Sequence, residues 1–298
     1  MMMKEVQIIT VTTAAVSPVA RGESFIRGSY EVASCYSSFM KLATWNVNSL
    51  SVRLPQVLDW LQQQANEHPI DALVLQETKT TDDKFPRETI EAAGYQVDFF
   101  GQKTYNGVAL LSRQGASDVV RNIPGFEDDM ARVITGTVQG VRVIGAYFPN
   151  GQAPDSDKFV YKMKWLDALR AWLHTELHQH PKLVLMGDFN ITVDDRDVWD
   201  PVGLAGTIHC TAEERAHFQG LLNLGLSDAF RLFEQPEKSY SWWDYREMAF
   251  RRNRGMRIDH VLVSQALKDL TQACVIDKAP RKNERPSDHA PVIVTLAL

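Results

Sequence analysis

The sequence predicts a single α/β domain built on two packed sheets, and three observations carry that expectation. Eight short apolar segments are interspersed with three stretches of helical periodicity. The pattern then begins again: Lys182–Met186 enters Gly187-Asp188-Phe189-Asn190 much as Lys41–Thr44 enters Trp45-Asn46. No linker rich in Pro, Gly or Ser parts the two halves, so they share one fold.

In chain order, Lys41–Trp45 is an apolar strand that ends in Asn46. Leu54–Gln64 follows as an amphipathic helix, with apolar residues at Leu54, Val57, Leu58 and Leu61. Ala72–Gln76 is a buried strand ending in Glu77, and Val108–Ser112, Val133–Thr137 and Val141–Tyr147 are further strands. Lys158–His178 is a long helix whose apolar positions are Phe159, Met163, Leu166, Leu169, Leu173 and Leu177. After Lys182–Met186 come a helix at Glu213–Leu224 and strands at Ile258–Ser264 and Val292–Leu296.

Residues 1–39 carry three basic and three acidic side chains, nine Ser or Thr, and no period that buries a face. Lys4 and the apolar run Ile8–Ala20 are a poor secretion signal, because Glu5, several Thr and Pro18 interrupt them. The segment reads as a disordered extension or as an upstream start before Met40, leaving 40–298 as one domain.

The chain of 298 residues is 44% hydrophobic and 23% charged, which excludes disorder, collagen and coiled coil. Cys35, Cys210 and Cys274 are too few and too scattered for a disulfide framework or a zinc site, which suits a reducing, cytoplasmic setting. No stretch reaches the roughly 18 apolar residues of a membrane span.

Function is written at the strand ends. Asn46, Glu77, Tyr147, Asp188, Asn190, Asp259, Asp288 and His289 each sit at or just beyond an apolar strand, where a rigid scaffold holds catalytic groups. One acid in such a place is ordinarily matched by an Arg or Lys. Four acids without an obvious helical Arg partner point instead to a hard cation, Mg²⁺ or Mn²⁺, since no thiolate accompanies them. His289 lies between Pro286 and Pro291, which fix the backbone around it. An imidazole beside a carboxylate and a metal can act on a phosphate, and Asn46, Asn190 and Tyr147 add neutral donors. These are the parts that hydrolysis of a phosphodiester needs.

Thr44-Trp45-Asn46-Val47-Asn48, Leu75-Gln76-Glu77-Thr78-Lys79, Tyr147-Phe148-Pro149-Asn150-Gly151, Gly187-Asp188-Phe189-Asn190, Ser241-Trp242-Trp243-Asp244-Tyr245-Arg246, Arg257-Ile258-Asp259 and Ser287-Asp288-His289-Ala290-Pro291 resemble, in order and spacing, the exonuclease III family of DNA repair nucleases. The resemblance covers Met40–Leu298. It implies a four-layered α/β/β/α sandwich of two packed mixed sheets, DNase I-like. It also implies a Mg²⁺-dependent, monomeric hydrolase of duplex DNA bearing abasic sites, nicks or blocked 3′ ends. By the same resemblance Glu77 is the principal metal ligand, with Asn46, Asp288 and the neighbouring Asp188, Asn190 and His289 in the ligand network. His289 contacts the scissile phosphate and is oriented by Asp259. Asp188 moves the proton of the attacking water or the leaving oxygen, Asn190 orients the nucleophile, and Tyr147 touches the phosphate. Trp242 and Met256 match the apolar wall around an extruded deoxyribose, and Tyr105, Asn106 and Asn150 match DNA-backbone contacts.

One departure stands at Ile208-His209-Cys210-Thr211, where the family often carries a hydrophobic or aromatic residue. A bulky, hydrogen-bonding His209 there narrows the sugar pocket and favours 3′-end processing over incision at internal abasic sites. Two other readings compete with a DNA nuclease. A lipid or inositol phosphatase of the same superfamily calls for apolar membrane loops or a basic head-group pocket, and a catalytically silent DNA-binding relative has no use for Glu77, Asp188, Asp259 and His289. The net charge of −5 averages over a +5 stretch at residues 246–285, where ten basic residues meet five acidic ones. That tract, Arg257 and Arg281 included, is expected to contact phosphates in a salt-sensitive way.

Overall fold

The computed structural model describes residues 39–298; the extension read at 1–39 lies, apart from Phe39, outside the described residues. Twelve strands form two six-stranded mixed sheets. The first has the order β11-β12-β1-β2-β4-β3, from β1 (Phe39–Asn46), β2 (Ala72–Gln76), β3 (Gln96–Phe100), β4 (Val108–Ser112), β11 (Thr271–Ile276) and β12 (Val292–Ala297). The second has the order β5-β6-β7-β8-β10-β9, from β5 (Ser117–Arg121), β6 (Val133–Val138), β7 (Val141–Tyr147), β8 (Leu183–Asp188), β9 (Leu226–Asp228) and β10 (Asp259–Ser264). Each sheet holds one parallel pair, β1 with β2 and β7 with β8, so the repeat seen in the sequence is a repeat of architecture.

Alternation along the central strands explains the layering. Ala72 and Val74 of β2 face the other sheet and meet Val143, Val184 and Met186, while Leu73 and Leu75 point outward. The outward face of the first sheet is covered by α1 (Leu50–Ala65), through Leu50, Val57, Trp60 and Leu61, and by the short α2 (Arg87–Ala92). The second sheet is covered by α3 (Asp157–Gln179) and α4 (Ala212–Leu222), through Met163, Leu166, Leu169, Leu173 and Phe218. The result is the α/β/β/α sandwich. α5 (Gln265–Lys268) is a single turn. At Gly145 the sheets approach so closely that a β-carbon there would lie 2.3 Å from Cγ1 of Val74.

The helices start where their caps allow. Ser156 accepts the Phe159 amide at the head of α3, and Thr211 and Glu214 form a reciprocal capping box on α4. No helix among the described residues is long and apolar enough to cross a membrane.

Candidate active site at the shared end of the two sheets

Strand register assembles the site. Tyr147, Asp188 and Asp259 are direct neighbours across β7, β8 and β10, and Asn46 pairs with Gln76 across β1 and β2, with Glu77 next in the chain. The two rows meet because the sheets are stacked. Asn46 Nδ2 donates to Glu77 Oε1 at 2.8 Å and to Asp188 Oδ2 at 2.9 Å, joining one sheet to the other. The loop before β12 brings in His289, whose peptide N–H donates to Ser287 Oγ and whose carbonyl accepts from the Trp45 indole.

Glu77, Asp188 and His289 present ligand atoms within 4.8 Å of one another. His289 Nδ1 lies 2.8 Å from Asp259 Oδ2, which leaves Nε2 facing Asp188 Oδ2 at 3.7 Å. Burial alone lowers an imidazolium, but Asp259 and Asp188 outweigh it and hold His289 up at about 10. Asp188 moves the other way from an ordinary carboxylate. Burial pushes it up to about 7, against the pull of His289 and with the help of Asp259 and Glu77. Tyr147 is held well above the usual phenol range by burial and by Glu77 and Asp188, so it remains a hydroxyl donor.

Several side chains fall outside the reach of sequence reasoning. Glu77 is not free of a basic partner: Lys79, two residues on, reaches Glu77 Oε2 at 2.8 Å and also Asn48 Oδ1. The pairing escapes a helical-spacing argument because this segment is a loop. Asn48 in turn donates to Asp288 Oδ1, and the Trp242 indole donates to Asp288 Oδ2, both at 3.0 Å. Asp288 therefore stands beside the three convergent groups with both oxygens engaged. Arg132 lies under Tyr147, its guanidinium 5.2 Å from the ring centre, and donates to the Tyr147 carbonyl.

The expected DNA-contacting residues divide between two cavities of about 440 Å³ each. One is lined by Tyr105, Asn106, Arg132, Tyr147, Asn150 and Lys158. The other holds Trp242 and Met256, with Trp199, Leu204, Arg246 and Arg254. His209 is buried, lines neither cavity, and adopts a left-handed conformation (φ 72°). Its Nδ1 bonds the Asn190 carbonyl at 2.7 Å and its Nε2 faces Asn150 Nδ2 at 3.4 Å. Burial and Lys162 bring its pKa down to about 4, so the ring is neutral, Nδ1 donates and Nε2 accepts. Asn190 donates from Nδ2 to the Phe148 carbonyl and from its amide N–H to Asp188 Oδ1.

Two members of the basic tract are corrected by their burial. Arg257 has no exposed surface: it forks onto Asp197 (2.8 and 3.0 Å) and Asp228 (3.2 and 2.7 Å) and touches His260 Nδ1. Arg281 is buried against Trp243 and Phe250. Neither reaches solvent phosphate, because a count of charges along a segment does not distinguish side chains facing in from side chains facing out.

A model of the Endonuclease/Exonuclease/phosphatase family matches residues 43–289. Exodeoxyribonuclease III of Haemophilus influenzae is 36% identical over 269 residues, spanning 85% of this chain and 98% of that protein. The chain belongs to the exonuclease III family. Two solved structures superpose over most of the chain. The Neisseria 3′ phosphatase NExo, solved with a product DNA hairpin, is 47% identical with a TM-score of 0.83, covering 87% of this chain and 100% of that one. An AP endonuclease from Archaeoglobus fulgidus is 34% identical with a TM-score of 0.82, at the same coverage.

Proposed function

We propose that the protein is a Mg²⁺-dependent DNA repair nuclease that hydrolyses phosphate esters at 3′ ends of duplex DNA, as 3′→5′ exonuclease and 3′-end-processing phosphodiesterase. The convergence of Glu77, Asp188 and His289 within 4.8 Å, with Asp259 behind the imidazole, carries the reading. A cytoplasmic monomer fits it. Relatives named as exodeoxyribonuclease III, 3′ phosphatase and AP endonuclease support the substrate class.

Two carboxylates with no thiolate among them suit a hard cation, and Glu77 and Asp188 would hold it with Asn46 and Asp288 alongside. Asn46 now turns its Nδ2 to the carboxylates while its Oδ1 accepts from Asn48 N–H, so ligation calls for the amide to rotate. When bound, the ion polarises the phosphoryl group and offsets charge developing there.

The chain's own groups supply the rest. His289, charged at neutral pH, offers Nε2–H to a phosphate oxygen while Asp259 fixes its other nitrogen. Asp188, a buried carboxyl that takes a proton more readily than an exposed one, exchanges a proton with the attacking water or the leaving oxygen. Asn190 keeps one Nδ2 hydrogen after bonding Phe148, enough to orient the nucleophile. The Tyr147 hydroxyl donates to the phosphate. Tyr105, Asn106 and Asn150 hold the DNA backbone, and Trp242 and Met256 take the sugar.

His209 sets the balance of activities in this reading. A β-carbon in the left-handed region costs roughly 1 kcal/mol, so a glycine is the easier residue at φ 72°, and the imidazole is kept for the space it fills beside Asn150. His209 lines neither cavity, so a preference for 3′ ends over internal abasic sites would act through its contact with Asn150 rather than by narrowing the cavity of Trp242 and Met256.

Rates on a nicked duplex with a blocked 3′ end, a recessed 3′ end and an internal abasic analogue test the proposal. Activity is expected to vanish in EDTA and to fall in Glu77→Ala; hydrolysis that survives both sinks the metal assignment. His209→Gly is expected to gain abasic incision, and no gain counts against the specificity role.

A further inference from the structure

We infer that Lys162 and Glu214, a fully buried ion pair joining α3 to α4, are positioning residues that hold Asn190 and through it Asp188. The inference rests on the nuclease reading above. Both side chains have no exposed surface. A buried pair is a poor way to glue two helices, since apolar residues of the same volume usually serve at least as well. What this pair does that apolar residues cannot is bind backbone. The Lys162 ammonium has three N–H donors and three partners: Glu214 Oε1, the Asn190 carbonyl at 2.7 Å and the Asn150 carbonyl at 3.3 Å. Glu214 completes the frame, with Oε1 accepting the His209 amide and Oε2 accepting the Thr211 amide and hydroxyl.

Asn190 needs holding. It sits in the left-handed region at φ 51°, which costs an L-residue roughly 1 kcal/mol, and Lys162 and His209 Nδ1 both donate to its carbonyl. The N–H of Asn190, on the peptide that precedes this carbonyl, donates to Asp188 Oδ1 at 3.0 Å, while the Asn190 side-chain Oδ1 accepts from Asn150. Lys162 thus grips both residues of the Asn150–Asn190 contact by their main chain and aims a hydrogen bond at the carboxylate that moves the proton.

Lys162→Met alone strands a buried carboxylate and is expected to fold poorly. The test therefore uses the double variant Lys162→Met/Glu214→Gln, which removes both charges and keeps the shape. The control is Arg142→Met/Glu176→Gln, which removes a second buried pair on the same helix, at the end of β7 remote from Tyr147. In the first variant kcat on a nicked 3′-phosphate duplex is expected to fall about 10–100-fold, with KM changed by less than about twofold. Without metal or DNA, hydrogen exchange at the Asn190 amide is expected to speed up, while the melting temperature stays near that of the control. Wild-type kcat and Asn190 protection in the double variant, or an equal loss of kcat in the control, overturns the proposal. A wild-type protein inert on DNA defeats the nuclease reading alone, because the exchange measurement still decides whether the pair holds Asn190.

Discussion

Replacing Arg257 by Met separates a buried organising cation from a surface phosphate contact. Arg257 offers four hydrogen bonds to Asp197 and Asp228, at 2.7 to 3.2 Å, with no solvent on either side of the guanidinium. Removing it strands two buried acids. Breaking such a pair from one side typically costs about 3–5 kcal/mol, and since Arg231 still reaches Asp197 the lower half of that range is expected. The pH dependence carries the sign. Burial drives the Asp228 carboxyl up, but Arg257 outweighs it and holds the acid below its ordinary value, so the charged form stabilises the fold above the unfolded pKa and that gain fades as pH falls. In the variant burial wins, the folded acid binds its proton more tightly than the unfolded one, and the deficit grows as pH rises. Urea unfolding at pH 8 and pH 5 is therefore expected to show a larger stability loss at pH 8, with the slope of the transition unchanged. A loss under about 1 kcal/mol at pH 8, or one that grows toward pH 5, refutes the reasoning. A loss of DNA affinity at full stability would restore Arg257 to the phosphate-contacting tract.

Two further perturbations follow from the packing and from the same network. Gly145→Ala places a methyl where Val74 already stands, and overpacking of this kind is expected to cost about 1–3 kcal/mol, read as a lower melting temperature without change of fold by circular dichroism. His260 donates from Nε2 to the Ile191 carbonyl and accepts from Arg257, and burial with Arg257 lowers its pKa from 6.5 to about 4. Its neutral form stabilises the fold above pH 6.5, and as pH falls toward 4 up to about 3 kcal/mol is lost because the unfolded state takes the proton first. His260→Gln is expected to flatten that decline, and an unchanged slope of stability between pH 6.5 and 4 counts against it.

The eight strands legible in the sequence, β1, β2, β4, β6, β7, β8, β10 and β12, are all interior to their sheets. The four that were not, β3, β5, β9 and β11, are the four sheet edges. The reason is physical: an interior strand here is apolar on both faces and reads as a continuous run, as in Ala72–Gln76, whereas Ser117–Arg121 buries almost nothing and Leu226–Asp228 is three residues long. The site was legible for the same reason. A polar residue at the end of an apolar run is conspicuous: Asn46, Glu77 and Asp188 close one, and Asp259 opens one. Lys162 and Glu214 fall on the buried faces of their helices, beside Phe159, Met163 and Leu166 and beside Phe218 and Leu221, where a lone charge reads as a break in the apolar pattern, and Arg257 reads as one more surface cation. Partners that come from loops or distant segments, Lys79 to Glu77 or Asn48 to Asp288, are set by three-dimensional closure and leave no period behind.

The pairing of β12 with β1 joins the two ends of the domain, and His289 sits on the loop that leads into β12. During biosynthesis the first strand therefore waits for the last one. Until β12 has left the ribosome, β1 has only β2 beside it, and Asn46, Glu77 and Asp188 lack the imidazole carried by the loop that leads into β12.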